Sequence, residues 1–278
     1  MRKATMRALF TATLLLAICG TAPHAGAGTR SGALAVDAIR GSIAAQNCQQ
    51  AVDRLKSGLK NEYPEVFLLA GSMYENGICV RRDWDRAVTF YVQAHDAGEK
   101  DGAARIAAGY ADPANGPDVA AALWWATKTP PFRSGACGMP KEALADPDRF
   151  VAELKTWPQA RLAVCNYYVG VLSTIGAEVK YPDQAAAHAI GGDVKLRFLP
   201  GIPRIDLQRG ESREYEMVGW VMVDTLRDRK SRRMADGFET ELSRVANRAL
   251  QRYPHPGGIP ADTVVEMNFS FGIEYQMR

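Results

Sequence analysis

Val265-Glu-Met-Asn-Phe-Ser-Phe-Gly-Ile-Glu-Tyr275 alternates without interruption. Val265, Met267, Phe269, Phe271, Ile273 and Tyr275 fall on one side of an extended chain; Glu266, Asn268, Ser270, Gly272 and Glu274 fall on the other. Successive side chains of a strand point to opposite faces, so this is a strand with one face on a core and one in water. The apolar face needs a cover. Just upstream, Phe238, Leu242, Val245, Ala246, Ala249, Leu250 and Tyr253 recur at helical spacing and form one stripe. Asp193-Val-Lys-Leu-Arg-Phe198 is another alternating strand, with Val194, Leu196 and Phe198 on one face. Met217 to Thr225 reads as a strand apolar on both faces. Gly191-Gly192 and Gly257-Gly258 read as turns. The order strand, strand, helix, long strand predicts a small antiparallel sheet carrying one packed helix.

Before about Glu178 the period is 3.6, not 2. Glu65-Val-Phe-Leu-Leu-Ala-Gly-Ser-Met-Tyr-Glu-Asn-Gly77 has apolar or small residues at helical spacing and stops at a glycine. Pro64 suits its first turn, where a missing N–H costs nothing. A second helix opens at Asp83, a good N-cap, and carries Trp84, Ala87, Val88, Tyr91 and Ala94 on one stripe before Gly98. Two such helices with a short connection form an αα-hairpin. The unit recurs. Ala103 to Tyr110 is another first helix, Gly116-Pro117-Asp118 the connection and Val119 to Thr127 the second helix, with Trp124 and Trp125. Tyr74 and Tyr110 are thirty-six residues apart, and Ala87 and Ala122 thirty-five. A degenerate earlier copy runs from Ala35 to Ala45, then from a capping pair, Asn47 and Gln50, through Cys48 to Leu59. The class is therefore α+β: an N-terminal αα-hairpin repeat solenoid followed by the small sheet.

Leu69-Ala-Gly71, Met73-Tyr-Glu-Asn-Gly77, Val80, Asp83, Ala87, Tyr91, Ala94 and Gly98 resemble the Sel-like repeats, relatives of the tetratricopeptide repeats. The resemblance covers about Ala35 to Thr127. It implies a short right-handed solenoid whose concave face binds other proteins. Trp84, Tyr91, Trp124 and Trp125 then pack between neighbouring repeats.

The second half resembles the C-terminal domain of TonB. The residues in family order are Tyr181-Pro182, Ala185, Ala186, Gly191-Gly192-Asp-Val194-Lys-Leu-Arg-Phe198, Phe238 to Ala249, Tyr253-Pro254, Pro256 and Val264 to Ile273. The chain departs from the family where Leu199 to Arg213, with Pro200 and Pro203, replaces the usual hairpin after the first strand. TonB domains dock a short peptide of an outer-membrane transporter by adding it as a strand at a sheet edge. The resemblance places the corresponding edge at Val264 to Tyr275. It makes Tyr181, Pro182, Glu266, Asn268 and Ser270 the partner-binding residues. Tyr181 and Pro182 equally suit packing against the domain.

The chain opens with Arg2, Lys3 and Arg7 and no acid, followed by an apolar run of twelve residues, Ala8 to Cys19. That run is short for a bilayer span and fits a signal-peptide core, with Ala25-Gly26-Ala27 as cleavage site. No later stretch reads as long and apolar enough to cross a membrane. Cleavage before Gly28 leaves 31 basic against 31 acidic residues, which does not indicate a nucleic-acid partner. The expected divisions are 1–27 signal peptide, 28–128 repeats, 129–177 a closing helical cap and 178–278 the TonB-like domain.

Export puts Cys48, Cys79, Cys137 and Cys165 in an oxidising compartment, where an even count favours disulfides. Three connectivities are open, and the repeat organisation favours Cys48–Cys79 and Cys137–Cys165. Zinc is the alternative, against which stand the lack of any Cys-x-x-Cys and the scatter of His95, His188 and His255. No nucleophile set, metallopeptidase helix or phosphate-binding glycine loop is found, so no catalytic residue and no cofactor is expected. Arg227 to Arg233 reads as a solvated basic loop with a secondary capacity for an acidic partner or lipid headgroups. The reading that fits best is a non-enzymatic periplasmic interaction module or scaffold with a protein or peptide partner. A TonB-type energy transducer and a cell-wall hydrolase are the alternatives. The transducer needs a retained membrane helix and a Pro-rich span, which repeats replace here.

Overall fold

A computed structural model describes residues 30–129, 137–218, 221–224 and 236–272. The signal-peptide reading, the basic run 227–233 and the last residues of the final strand lie outside the described residues.

The first half is helical: α1 (Arg30–Ala44), α2 (Cys48–Lys60), α3 (Pro64–Asn76), α4 (Trp84–Asp96), α5 (Asp101–Ala111) and α6 (Val119–Ala126). Side chains mark where these helices begin. Asn47, Asp83 and Asp118 each accept a hydrogen bond from the amide three residues on, satisfying an amide the helix cannot. Gly77, with φ 67°, ends α3 in the left-handed region. Successive helices pack on one another, α1 on α2, α3 on α4, α4 on α5 and α5 on α6. Glycines let aromatic rings approach: a Cβ on Gly109 would fall 1.9 Å from the Trp84 ring. Ala51, Ala87 and Ala122, the small residues of the repeat pattern, are all fully buried.

After α7 (Pro147–Leu154), which Asp146 caps and Pro147 opens, comes α8 (Gln159–Glu178). Within Gln159–Ala187 a stretch of 18 residues reaches a mean hydropathy of 1.3, long and apolar enough by composition to cross a membrane, which corrects the expectation that no such stretch follows Cys19. Its apolar residues have a different cover. Tyr167, Val169, Val171, Leu172 and Ile175 are buried, and α5, α6 and α10 pack around the helix.

The short α9 (Asp183–Ala187) leads into β1 (Ile190–Leu199), β2 (Arg204–Val218) and β3 (Val221–Asp224), then α10 (Phe238–Arg252) and β4 (Val265–Phe271). The sheet is antiparallel in the order β3-β2-β1-β4, so the chain is α+β. Val194, Leu196 and Phe198 of β1 are buried in one cluster with the stripe of α10, and the Phe198 ring packs against Tyr167 and Tyr168 of α8. One buried cluster runs from Ala107 and Ala122 through α8 to β1 and α10.

Three readings of this region are corrected. Residues 199–213 hold a hairpin after all: β2 pairs with β1 from Leu199↔Arg204 to Ile190↔Glu214. Pro200 and Pro203 lie in its turn, where a missing N–H breaks no ladder. Met217 to Thr225 is not one strand. Met217 pairs with Met222 and Val218 with Val221, so the chain reverses there. Gly191 and Gly192 are not a turn but part of β1, at a register shift between Gly192 and Val194. A Cβ on Gly192 would meet the Glu211 carbonyl at 2.9 Å and the Phe238 ring at 3.2 Å.

Candidate functional site

β4 borders the sheet: it pairs with β1 and with no other strand among the described residues. Such an edge presents unpaired backbone N–H and C=O groups along one side. The alternation read in the sequence is present. Glu266, Asn268 and Ser270 are exposed, Val265, Met267 and Phe269 are half-buried against the core, and Phe271 is buried. Phe271 stacks on Phe238 with ring centroids 4.3 Å apart, which fixes the strand's end to α10.

Asn268 also lines a cleft of about 510 Å³. Its other walls are Leu172, Ser173 and Gly176 of α8, the α4–α5 turn from His95 to Asp101, and Lys128. Ser173 is buried, and its Oγ has no hydrogen-bond partner among the described residues. The cleft thus combines a strand edge, an apolar patch and unspent polar atoms. Glu99 and Asp101 on its wall have pKa values raised by burial first. Glu65 and Asp101 raise Glu99 further, because like charges resist joint ionisation.

Tyr181 lies at the Phe271 end of β4. Its ring approaches those of Phe238 and Phe271, and its hydroxyl donates to the Ile190 carbonyl at 2.5 Å. Pro182 is half-buried beside Gly237, and its carbonyl accepts from Ala186. Glu266 is spanned by Lys195 at 2.7 Å and Arg197 at 3.4 Å, both on β1. The Lys195 hydrogen bond leads in holding its carboxyl below the ordinary value. Of the three exposed β4 residues, Glu266 already has ionic partners within the chain, and Tyr181 has a hydrogen-bond partner.

The four cysteines join as Cys48–Cys79, with Cα atoms 4.9 Å apart, and Cys137–Cys165, 5.6 Å apart. The first ties α2 to the turn before α4; the second ties residue 137 to α8. Two disulfides are compatible with an exported protein in an oxidising compartment. No group of three or more metal-ligating side chains occurs among the described residues. His95 packs edge-on to Trp125 with centroids 5.5 Å apart, His188 is exposed, and His255 Nε2 lies 2.7 Å from the Pro200 carbonyl.

A buried ionic network, absent from the sequence reading, joins the helical half to α10. Arg252 contacts Glu75 at 2.7 Å and Asp112 at 2.6 Å. Tyr91 donates its hydroxyl to Glu75 at 2.6 Å. Burial, then the Glu75 carboxylate, pushes the Tyr91 phenol well above its ordinary value, so it stays a donor. Arg105 and Arg248 share Glu178, with Arg105 at 2.8 Å. Glu75 stands in the repeat signature and Arg252 at the end of the α10 stripe, and no local pattern links them.

No family model matches this chain, and no curated protein or solved structure matches it either.

Proposed function

We propose that this chain is a protein-interaction module of the cell envelope, working in the periplasm, that takes an extended partner segment as an added strand on β4. The observation that carries the reading is the position of β4: it ends the sheet and fronts the cleft lined by Asn268, Ser173 and Gly176. Main-chain hydrogen bonds along such an edge supply affinity, and a cleft beside it supplies side-chain selectivity. In this reading the sheet and α10 act as a TonB C-terminal-like domain, and the stacked hairpins α1–α6 as a short Sel-like solenoid offering a second contact surface. The two disulfides support the exported setting.

Site-specific photocrosslinking tests it. A benzoylphenylalanine placed at Asn268 in the exported protein should give a discrete protein adduct. The same probe at Gln208, exposed on β2, should not. No adduct at Asn268, or the same adduct at both positions, overturns the reading.

A further inference from the structure

A second cleft, of about 710 Å³, opens where α3, α5 and α10 meet the C-terminal end of α8. Its cations are Arg82, Arg105, Lys180, Arg244, Arg248 and Arg252; its carboxylates are Glu75, Asp112 and Glu178. The pairing is uneven. Arg252 takes Glu75 and Asp112, Arg105 and Arg248 divide Glu178, and Arg244 takes Glu241 from just outside the cleft. Among the described residues Arg82 binds neutral oxygens only, the carbonyls of Glu75 and Ala114 and the Asn115 amide. Lys180 has no ion pair within 4 Å among the described residues. Six cations therefore face four carboxylates, a surplus of two positive charges.

Concentrating positive charge in a partly desolvated cleft is unfavourable unless an anion answers it. Two observations mark the strain. Arg105 Nε is buried without a hydrogen-bond partner among the described residues. Burial first, then the charges of Arg40 and Arg105, holds the Lys180 pKa below its ordinary value.

We propose that this cleft binds a phosphate-bearing anion. A phosphate monoester group carries about two negative charges at neutral pH, the size of the surplus. A lone carboxylate would leave one cation unanswered. Guanidinium groups present the planar fork of donors that phosphate oxygens accept. The volume is that of a small-molecule site. The proposal is independent of strand capture at β4, which uses a different cleft.

The test uses the purified chain with both disulfides formed, titrated calorimetrically with inorganic pyrophosphate at fixed ionic strength maintained by chloride. Saturable binding and a rise in Tm with ligand are expected. Lys180→Gln and Arg248→Gln should each weaken binding by about tenfold, the loss of one charged contact. Lys180→Arg should restore most of it. Neither substituted side chain is part of the buried core, and the Tm of each variant without ligand shows that it is folded. Sedimentation with vesicles containing phosphatidic acid, whose headgroup is a phosphate monoester, against phosphatidylcholine vesicles, separates the sources. Pelleting that pyrophosphate competes away assigns a lipid headgroup; pyrophosphate binding without pelleting assigns a soluble ligand. No saturable pyrophosphate binding by the unaltered chain, or binding unchanged in folded Lys180→Gln and Arg248→Gln, overturns the proposal.

Discussion

Arg252 Nη2 lies 2.7 Å from Glu75 Oε1, a contact between residues 177 positions apart. It fastens the last turn of α10 to the end of α3. The same guanidinium reaches Asp112 through Nε, so one cation answers two buried carboxylates. Removing it leaves Glu75 with the Tyr91 hydroxyl and Asp112 with the Ala114 amide, both neutral donors, in place of a charge. Arg252→Met keeps most of the volume and removes the charge. It should cost about 3–5 kcal/mol, the scale for leaving a buried charge without its partner. Urea denaturation at neutral pH measures this. A loss under about 1 kcal/mol would mean that water reaches Glu75 and Asp112 freely.

The disulfides offer a separate test of how the halves are held. Cys48 and Cys79 close a loop with a sequence separation of 31, and Cys137 and Cys165 one of 28. On the chain-entropy account each loop of this length stabilises by about 3–4 kcal/mol. Replacing either pair by alanine should lower Tm by roughly 6–16 °C for a chain of this size. Melting curves of the two double variants decide it. A pair whose loss leaves Tm unchanged closes a loop that the helices already constrain in the unfolded chain.

Much of the helical half was legible because its boundaries are chemical. Asn47 and Asp83 cap helices in the way their side chains foretell, and Gly77 takes the positive φ that a helix stop needs. β4 was legible because its alternation is strict. β2 was hidden for the opposite reason. It begins after two prolines and carries Arg209 and Arg213, whose charges are answered by Asp236 and Asp193. A charged strand looks like a loop until those partners are known. The β4 residues of the candidate site could be read, but the far wall of their cleft could not. Ser173 and Gly176 belong to a helix whose apolar stretch announces burial without saying against what.

Gly170 tests the packing of α8 on α10. A Cβ built there would lie 2.4 Å from the Tyr253 ring. That ring is fixed by its hydroxyl, which bonds the Ala108 carbonyl and Thr174 Oγ1, both at 2.9 Å. Two effects compete in Gly170→Ala. Helix propensity favours alanine by about 1 kcal/mol. Overpacking costs about 1–3 kcal/mol, and a ring tied at its far end cannot move aside cheaply. The substitution should therefore destabilise by up to about 2 kcal/mol net. A denaturation midpoint at or above that of the parent chain would show that Tyr253 yields, and would loosen the contact between α8 and α10 described above.

Glu99 yields a prediction with a pH signature. Burial, then Glu65 and Asp101, raises its pKa in the folded chain. A carboxyl whose folded pKa exceeds its unfolded value favours folding when protonated. That contribution is complete below the unfolded pKa, near 4, and is lost as pH rises through the raised folded value. At neutral pH the ionised Glu99 thus works against the fold. Asp101 shares the environment, but it opens α5, where the helix end favours negative charge. Glu99 lies before the helix, and the neighbouring Lys100 offsets its raised pKa only in part. Glu99→Gln should then raise Tm at pH 7 by about 2 °C, the effect of somewhat under 1 kcal/mol in a chain this long. Below about pH 4 both side chains are neutral and the difference should close. Thermal melts of the two proteins from pH 3 to 8 measure it. An offset that does not vary with pH would trace the effect to shape rather than charge, and a lower Tm at pH 7 would mean that Glu99 has a cationic partner in solution.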